Sequence, residues 1–164
     1  MTLSFRPVSL EADPAATLVS AMRAEMAALY DDLDIDAPEM PKAGPDELGP
    51  PGGIFLVGSD PAGRPLCCGG LKRLSNEACE IKRMYVIPEV RGRGVGRDLL
   101  AALERAASEL GYRVTRLDTG PRQPGAERMY RRAGYEPIHN FNANPIASFF
   151  GEKVLVYANR ARSG

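Results

Sequence analysis

The feature that most constrains this chain is a loop rich in glycine and arginine, set between a predicted strand and a predicted long helix. The loop covers residues 90–97, with the sequence VRGRGVGR. Before it, the polarity of residues 78–88 alternates as in a β-strand. After it, apolar residues recur at helical spacing and predict a helix from about Val95 to Leu110, stopped by Gly111. The loop therefore becomes a helix N-terminus.

A helix N-terminus of this kind favours an anion, because its first backbone N–H groups are unpaired and the helix dipole is positive there. The glycines let a phosphate approach the backbone, and Arg91, Arg93 and Arg97 bring forked donors suited to phosphate oxygens. We expect a phosphate or pyrophosphate ligand. The alternative is a helix-capping turn with surface arginines and no ligand.

Two common phosphate-binding motifs do not fit this loop. A P-loop needs a lysine and then a serine or threonine after its last glycine, but Gly96 is followed by an arginine and an aspartate. A Rossmann fingerprint that starts at Gly92 or Gly94 needs a glycine or alanine where Arg97 or Leu99 stands. The sequence therefore argues against nucleotide hydrolysis and offers no dinucleotide fingerprint.

The remaining segments predict further strands and two more helices. An opening strand covers Leu3 to Val8, and a helix follows in which Asp13 is the expected N-cap and Pro14 the first residue. Two apolar runs joined by SDPAGRP predict a hairpin, which the strand at 78–88 extends to three antiparallel strands. The later segments are a strand at 113–120, a short helix at 125–134, a strand at 135–139, a loop at 140–150 and a closing strand at 151–158.

Composition and charge exclude several classes of function. The chain has 164 residues, of which 44% are apolar and 26% charged, and its 21 basic and 21 acidic side chains cancel. We therefore expect one folded domain whose net charge does not attract nucleic acid or anionic membranes. No apolar run is long enough for a membrane span and no signal-peptide pattern opens the chain, so we expect a cytoplasmic protein. Cys67, Cys68 and Cys79 are expected to be buried, reduced thiols.

Residues 31–53 form the least regular segment. Eight of the thirteen residues from Pro41 to Gly53 are glycine or proline, and such long loops are usually functional or disordered. An acidic run within the segment would attract a cationic amine, although solvated loop charge explains it as well. The run consists of Asp31, Asp32, Asp34, Asp36 and Glu39.

Two stretches resemble the core of the GNAT superfamily of N-acetyltransferases. They are EIKRMYVIPEVRGRGVGRDLL and RLDTGPRQPGAERMYRRAGYEPI. The family's pyrophosphate loop, [R/Q]-x-x-G-x-[G/A], is matched by Arg91, Gly94 and Gly96. Its later pattern, A-x-x-x-Y-x-x-x-G-[FY], is matched by Ala126, Tyr130, Gly134 and Tyr135. The resemblance is strong from about Ala78 to Ile138, and residues 31–53 match only as a region of variable length.

The resemblance implies an α/β fold of the α+β type, with a central mixed, mostly antiparallel sheet of six to seven strands flanked by about four helices. One domain would span residues 1–164, with residues 31–53 on the acceptor side. The resemblance also implies acetyl-CoA, or a related acyl-CoA, as co-substrate and no metal. The pantetheine arm would lie along the strand end and the pyrophosphate on the loop. The implied binding residues are Met84, Tyr85, Val86, Arg91, Gly92, Arg93, Gly94, Val95, Gly96 and Arg97.

Glu80 is the candidate general base. An alkylamine has a pKa near 10.4 and is protonated at neutral pH, so a base must collect a proton before the amine attacks. Strict alternation gives the strand a face shared by Glu80, Lys82, Met84 and Val86. The position of Glu80 also resembles that of the base glutamate in the family's histone-modifying branch. The alternative is a structural ion pair with Lys82 or Arg83.

Tyr130 is the candidate general acid. A phenol with a pKa near 10 can protonate a departing thiolate, whose thiol has a pKa near 8.5, and Tyr130 matches the position of the family's acid. The alternative is a packing tyrosine on a core face of the short helix. That face would consist of Ala126, Met129, Tyr130 and Ala133.

Three other polar residues carry less weight. Asp118 and Thr119, at the end of a predicted strand, would either touch the acceptor or cap the following loop. His139 is the single histidine of the chain, and we expect it at the surface.

We therefore expect an N-acetyltransferase that transfers an acetyl group to a primary amine by direct attack in a ternary complex. The alternative is a non-catalytic GNAT-fold protein that acts as an acyl-CoA-binding or regulatory protein. Zero net charge disfavours a third class, an RNA-associated modifier. The acceptor would be a small-molecule amine or a protein amine, with no nucleic-acid or membrane partner. A homodimer stays open, because many family members are dimers.

Overall fold

A seven-stranded sheet forms the centre of the protein, for which the computed structural model describes residues 2–155. Neighbouring strands run in the order β1-β2-β3-β4-β5-β7-β6, and all pairs are antiparallel except β4 and β5. The predicted mixed, mostly antiparallel sheet is thus confirmed. The strands are β1 (Ser4–Pro7), β2 (Ile54–Ser59), β3 (Pro65–Arg73), β4 (Ala78–Val86), β5 (Val114–Thr119), β6 (Glu136–Pro137) and β7 (Phe149–Val154).

Three α-helices and one short 3₁₀ turn accompany the sheet within residues 2–155: α1 (Ala15–Leu29), α2 (Val95–Glu109), α3 (Pro124–Arg132) and the turn Pro88–Val90. The expected number of helices, about four, is slightly too high for this part of the chain. The segment after α1 is dense in glycine and proline, which break helices, so it runs through successive turns instead. None of these helices is both long and apolar enough to cross a membrane.

Some element boundaries differ from the predicted ones. Helix α1 begins at Ala15, and Pro14 rather than Asp13 is its N-cap. The Asp13 carboxylate still accepts hydrogen bonds from the backbone N and the Oγ1 of Thr17, at 3.1 and 2.7 Å. Strand β7 begins two residues before the predicted closing strand, and residues 156–158 of that prediction lie outside the described residues.

Two apolar cores lie on opposite faces of the sheet. The adjacent residues Cys67 and Cys68 of β3 point into different cores. Helix α2 covers one face with the apolar stripe that the sequence predicted, from Val95 to Ala106. Helix α1 covers the other face and shares that core with the segment 31–53. The segment contributes Ile35, Ala43 and Leu48, each less than 5% exposed. It is therefore a packed part of the domain as well as a loop.

A β-bulge in β4 reverses the alternation of its side chains. Cys68 of β3 pairs with Tyr85 of β4, and Gly70 pairs with Lys82. The two residues on β3 are two positions apart in the chain, whereas their partners on β4 are three positions apart, so β4 contains one extra residue. The extra residue lies next to Arg83, whose φ of 59° falls in the left-handed region. An inserted residue of this kind shifts every later side chain to the other face of the strand.

The bulge overturns the predicted common face of Glu80, Lys82, Met84 and Val86. Cys79 and Ile81, before the bulge, and Met84 and Val86, after it, all belong to the core beneath α2. Glu80 and Lys82 therefore point to the α1 side of the sheet. The prediction was wrong because it assumed strict alternation through a strand that contains an extra residue.

Strands β4 and β5 pair over only three residues. The parallel ladder joins Ala78, Cys79 and Glu80 to residues 114–116, although β4 continues to Val86 and β5 to Thr119. Beyond Glu80 the two strands leave a cleft between them, lined by residues 81–85 on one side and 118–120 on the other. This cleft and the loop at 90–97 lie at the same end of β4.

The three cysteines provide a test of the fold. Cys67, Cys68 and Cys79 have no exposed surface, and burial raises the pKa of each thiol to about 12. At about pH 8 only about one thiol in ten thousand is then ionised in the folded protein, so a disulfide reagent such as DTNB has almost no thiolate to attack. We expect slow labelling of the native protein and rapid labelling of three thiols in urea. Rapid labelling of a folded sample, with its circular dichroism unchanged, would contradict the burial.

Candidate active site

The glycines of the loop at 90–97 determine the backbone conformation at the start of α2. Gly92 and Gly94 have φ values of 79° and 83°, in the left-handed region that favours glycine. Gly94 is the N-cap of α2, and its carbonyl accepts the Asp98 N–H at 3.0 Å. The amides of residues 95–97 precede this first helical bond and are the orphan donors of the helix start. They lie at the positive end of the helix dipole.

The arginines of the loop have two different roles. Arg93 and Arg97 are exposed, and within residues 2–155 neither forms an ion pair. Arg91 instead donates from Nη1 and Nη2 to the two carboxylate oxygens of Glu25 in α1, each at 2.7 Å. Its Nε donates to the Val86 carbonyl at 2.9 Å, and its guanidinium lies over the Tyr85 ring. Arg91 therefore holds the loop against α1 and β4.

These features fit a phosphate-bearing thioester such as acyl-CoA. The orphan amides and the two free arginines suit its phosphates, and the open edge of β4 gives its extended arm a backbone to follow. At position 96 an added Cβ would lie 3.3 Å from the Met129 sulfur, so glycine lets α2 pack closely against α3. At Gly92 an added Cβ would meet nothing within 4 Å, so that side of the loop is open.

A cavity lies where the cleft between β4 and β5 meets α1, α3 and the segment 31–53. Its apolar wall includes Met22, Met26, Leu33 and Met40. Its polar and reactive groups include Lys82, Arg83, Asp118, Thr119 and Tyr130. The structure thus brings the predicted residues Met84, Tyr85 and Tyr130 together with Asp118 and Thr119, to which the sequence gave less weight.

Tyr130 is one of the residues that line this cavity. It is 7% exposed, its ring packs edge-on against Tyr135, and its hydroxyl donates to the Met84 sulfur at 3.7 Å. Burial, and next the charge of Asp118, raise the pKa of Tyr130 above its usual value. The phenol is therefore protonated at neutral pH and carries a proton to donate. Tyr130 also belongs to the core beneath α2, so the packing alternative is confirmed, while its role as the acid stays a prediction.

Glu80 is completely buried and sits behind the cavity. Its Oε2 lies 3.3 Å from the Lys82 Nζ and accepts a hydrogen bond from the Asn142 Nδ2 at 2.7 Å. Its Oε1 has no hydrogen-bond partner within residues 2–155. Glu80 is not among the described residues that line the cavity, whereas its partner Lys82 is.

Asn142 and Asn144 are functional candidates that sequence reasoning missed. The Nδ2 of Asn142 donates to both Glu80 and Asp118, each at 2.7 Å, and the Nδ2 of Asn144 donates to Asp118 at 2.9 Å. The signal in the sequence is the repeat Asn-x-Asn-x-Asn at 140–144, since asparagine side chains accept from the backbone N–H two residues on. His139, in contrast, is exposed as expected.

Comparison with known proteins agrees with this geometry. The model of the acetyltransferase (GNAT) family matches residues 18–135. An uncharacterized N-acetyltransferase of Schizosaccharomyces pombe is 36% identical over 101 residues, which are 61% of this chain and 62% of the yeast protein. The match thus spans less than two thirds of that relative's length.

Two solved structures resemble the whole described fold. A Klebsiella pneumoniae protein provisionally described as an acyl-CoA N-acyltransferase has a TM-score of 0.76 and 28% identity, over 94% of this chain and 98% of its own. A GNAT family acetyltransferase from Elizabethkingia anophelis, solved with acetyl-CoA bound, has a TM-score of 0.65 and 17% identity, over 93% and 98% of the two chains.

The ion pair between Arg91 and Glu25 can be measured with a double-mutant cycle. The two side chains are 44% and 40% exposed, so water and salt screen the attraction, and we expect a coupling energy of about 0.5–1 kcal/mol. The measurement is the free energy of unfolding in urea for Arg91→Ala, Glu25→Ala and the double variant. A coupling energy of zero would show that Val86 and Tyr85 alone hold Arg91.

The family model matches most of the chain, and the fold with its glycine loop and its cleft between β4 and β5 agrees with that match. This protein therefore belongs to the GNAT family of acetyltransferases.

Proposed function

We propose that this protein is an N-acetyltransferase that moves the acetyl group of acetyl-CoA to a primary amine within a ternary complex. The observation that carries the proposal is that Tyr130, whose hydroxyl donates to the Met84 sulfur, lines a cavity that continues into the cleft between β4 and β5. A thioester arm entering along β4 from the phosphate-binding loop would place its sulfur within reach of a proton donor. The membership in the GNAT family and the acetyl-CoA bound in the Elizabethkingia structure support the choice of co-substrate.

In this proposal the loop and the end of β4 hold the co-substrate. The amides of residues 95–97 and the side chains of Arg93 and Arg97 receive the pyrophosphate, while Gly92 keeps the approach open. Met84, Tyr85 and Val86 offer backbone groups to the pantetheine arm. Arg91 acts indirectly, because its guanidinium already binds Glu25 and the Val86 carbonyl.

The chemistry needs a proton donor and a proton acceptor. When bound, acetyl-CoA supplies an acyl group activated as a thioester. Tyr130 donates its proton to the departing sulfur, and a backbone amide near the end of β4 polarises the thioester carbonyl. Glu80 assists proton removal from the amine through water, because it is not among the described residues that line the cavity.

The organisation of the protein is part of the same proposal. We propose a single domain over residues 1–164, located in the cytoplasm, with residues 31–53 on the acceptor side. The acceptor is a small-molecule amine or a protein amine. A homodimer stays a prediction.

Binding of acetyl-CoA provides the first test. Replacing Arg93 and Arg97 by alanine removes two cations that face the pyrophosphate, and we expect the dissociation constant to rise by about tenfold or more in calorimetric titration. Arg105→Ala is the matched control, since Arg105 is an exposed arginine on the same helix but far from its start. Equal affinity of the double variant and the control would contradict this use of the loop.

Tyr130→Phe tests the role of the phenol. Losing a general acid should lower turnover by about a hundredfold, while the dissociation constant for acetyl-CoA should stay within about threefold because the ring remains. Tyr112→Phe is the control, because Tyr112 is also buried but donates to the Gly52 carbonyl away from the cavity. Normal turnover in the Tyr130 variant would rule out its role as the acid.

A further inference from the structure

Asp118 is a carboxylate that lines the cavity without a cation of its own. Its Oδ2 accepts hydrogen bonds from Asn142 and Asn144, and its Oδ1 forms none within residues 2–155. The other charged side chains that line the cavity all have partners. These pairs are Glu25 with Arg91, Lys82 with Glu80 and Arg83 with Asp36.

The asparagine loop fixes the direction of this carboxylate. The Oδ1 of Asn142 accepts the Asn144 N–H at 3.1 Å, and the Oδ1 of Asn144 accepts the Ile146 N–H at 2.9 Å. Each amide group therefore turns its Nδ2 toward Asp118. Both donors are neutral, so they orient the carboxylate without neutralising it. Arg83 lies near enough to attract Asp118 electrostatically, but it forms its ion pair with Asp36. An ammonium ion in this partly enclosed space would therefore still be attracted to Asp118.

We propose that Asp118 binds the ammonium group of the acceptor and takes its proton, which makes it the direct proton acceptor of the reaction. This inference rests on the proposed function and assigns to Asp118 the contact with substrate that Glu80 lacks. Glu80 then acts as a positioning residue, because it shares the Asn142 Nδ2 with Asp118 and is itself held by Lys82.

The step balances in protons and electrons. The ammonium group transfers a proton to the Asp118 carboxylate, and the electron pair of that N–H bond stays on nitrogen. This lone pair then forms the N–C bond with the acetyl carbon. As the C–S bond breaks, its electron pair leaves on sulfur, which takes the proton of Tyr130. The second nitrogen proton passes through solvent to restore the tyrosine, and the proton on Asp118 returns to solvent. One proton is released in each turnover.

The wall of the cavity near α1 indicates what carries the ammonium group. Met22, Met26 and Met40, together with Leu33, give it an adaptable apolar surface, since methionine side chains fit irregular shapes. The acceptor class is accordingly a primary amine on a small body that is at least partly apolar. We use n-butylammonium as the probe and n-butanol as its uncharged counterpart.

Binding of the probe can be read without turnover. In the ¹⁵N-labelled wild-type protein, the side-chain amide signals of Asn142 and Asn144 should shift saturably with n-butylammonium chloride and stay in place with n-butanol. Asp118→Asn should abolish the shifts. Equal responses to the two compounds, or none, would overturn the inference, and this comparison needs no variant to fold.

Turnover measurements distinguish the roles of the Asp118 and Glu80 carboxylates. With n-butylamine and acetyl-CoA, read by thiol release, Asp118→Asn should lower kcat/KM by about a hundredfold or more, and Glu80→Gln by less than about tenfold. Both variants should bind acetyl-CoA within about threefold of wild type. A larger loss in Glu80→Gln than in Asp118→Asn would make Glu80 the proton acceptor and overturn the inference.

Failure of the proposed function has a different signature. A folded wild-type protein that does not bind acetyl-CoA would overturn the acetyltransferase proposal, and the proton-acceptor role of Asp118 with it. A protein that binds both acetyl-CoA and n-butylammonium but never releases thiol would overturn the proton transfer and leave only a cation site at Asp118.

Discussion

The bulge at Arg83 is the constraint on which the rest of the site depends. Before it, β4 turns Glu80 and Lys82 toward the side of α1; after it, Met84 lies in the core beneath α2, where the Tyr130 hydroxyl contacts its sulfur. Without the extra residue, strict alternation would put Met84 on the same face as Glu80. One residue of register therefore decides which face of the sheet Met84 and Val86 take relative to Glu80.

The bulge also requires an unusual backbone conformation. Arg83 has a positive φ, which costs a residue with a Cβ on the order of 1 kcal/mol or more and persists only where the surroundings enforce it. Its side chain donates to the Ile35 carbonyl and forms an ion pair with Asp36. The segment 31–53 thus helps to hold the strand in the shape that opens the cleft.

Much of the fold could be predicted from the sequence, because helix α2, the glycine loop and most strands have local signals. The stripe from Val95 to Ala106 has a helical period, and glycines mark the loop. The bulge could not be predicted in this way, since nothing in the identity of Arg83 indicates a left-handed conformation. The roles of Asn142 and Asn144 were missed for a related reason. Their contacts join a loop to strands that are distant in the chain, and a single sequence does not report such contacts.

The packing of residues 31–53 has a consequence for how the lining of the cavity can change. Ile35, Ala43 and Leu48 anchor the segment in the core beneath α1, while Leu33, Met40 and Pro41 line the cavity and remain partly exposed. Substitutions at the anchors would weaken the whole domain, whereas substitutions at the lining positions would alter the cavity at little cost in stability. Variation among relatives should therefore concentrate at the lining positions, while the anchor positions stay apolar.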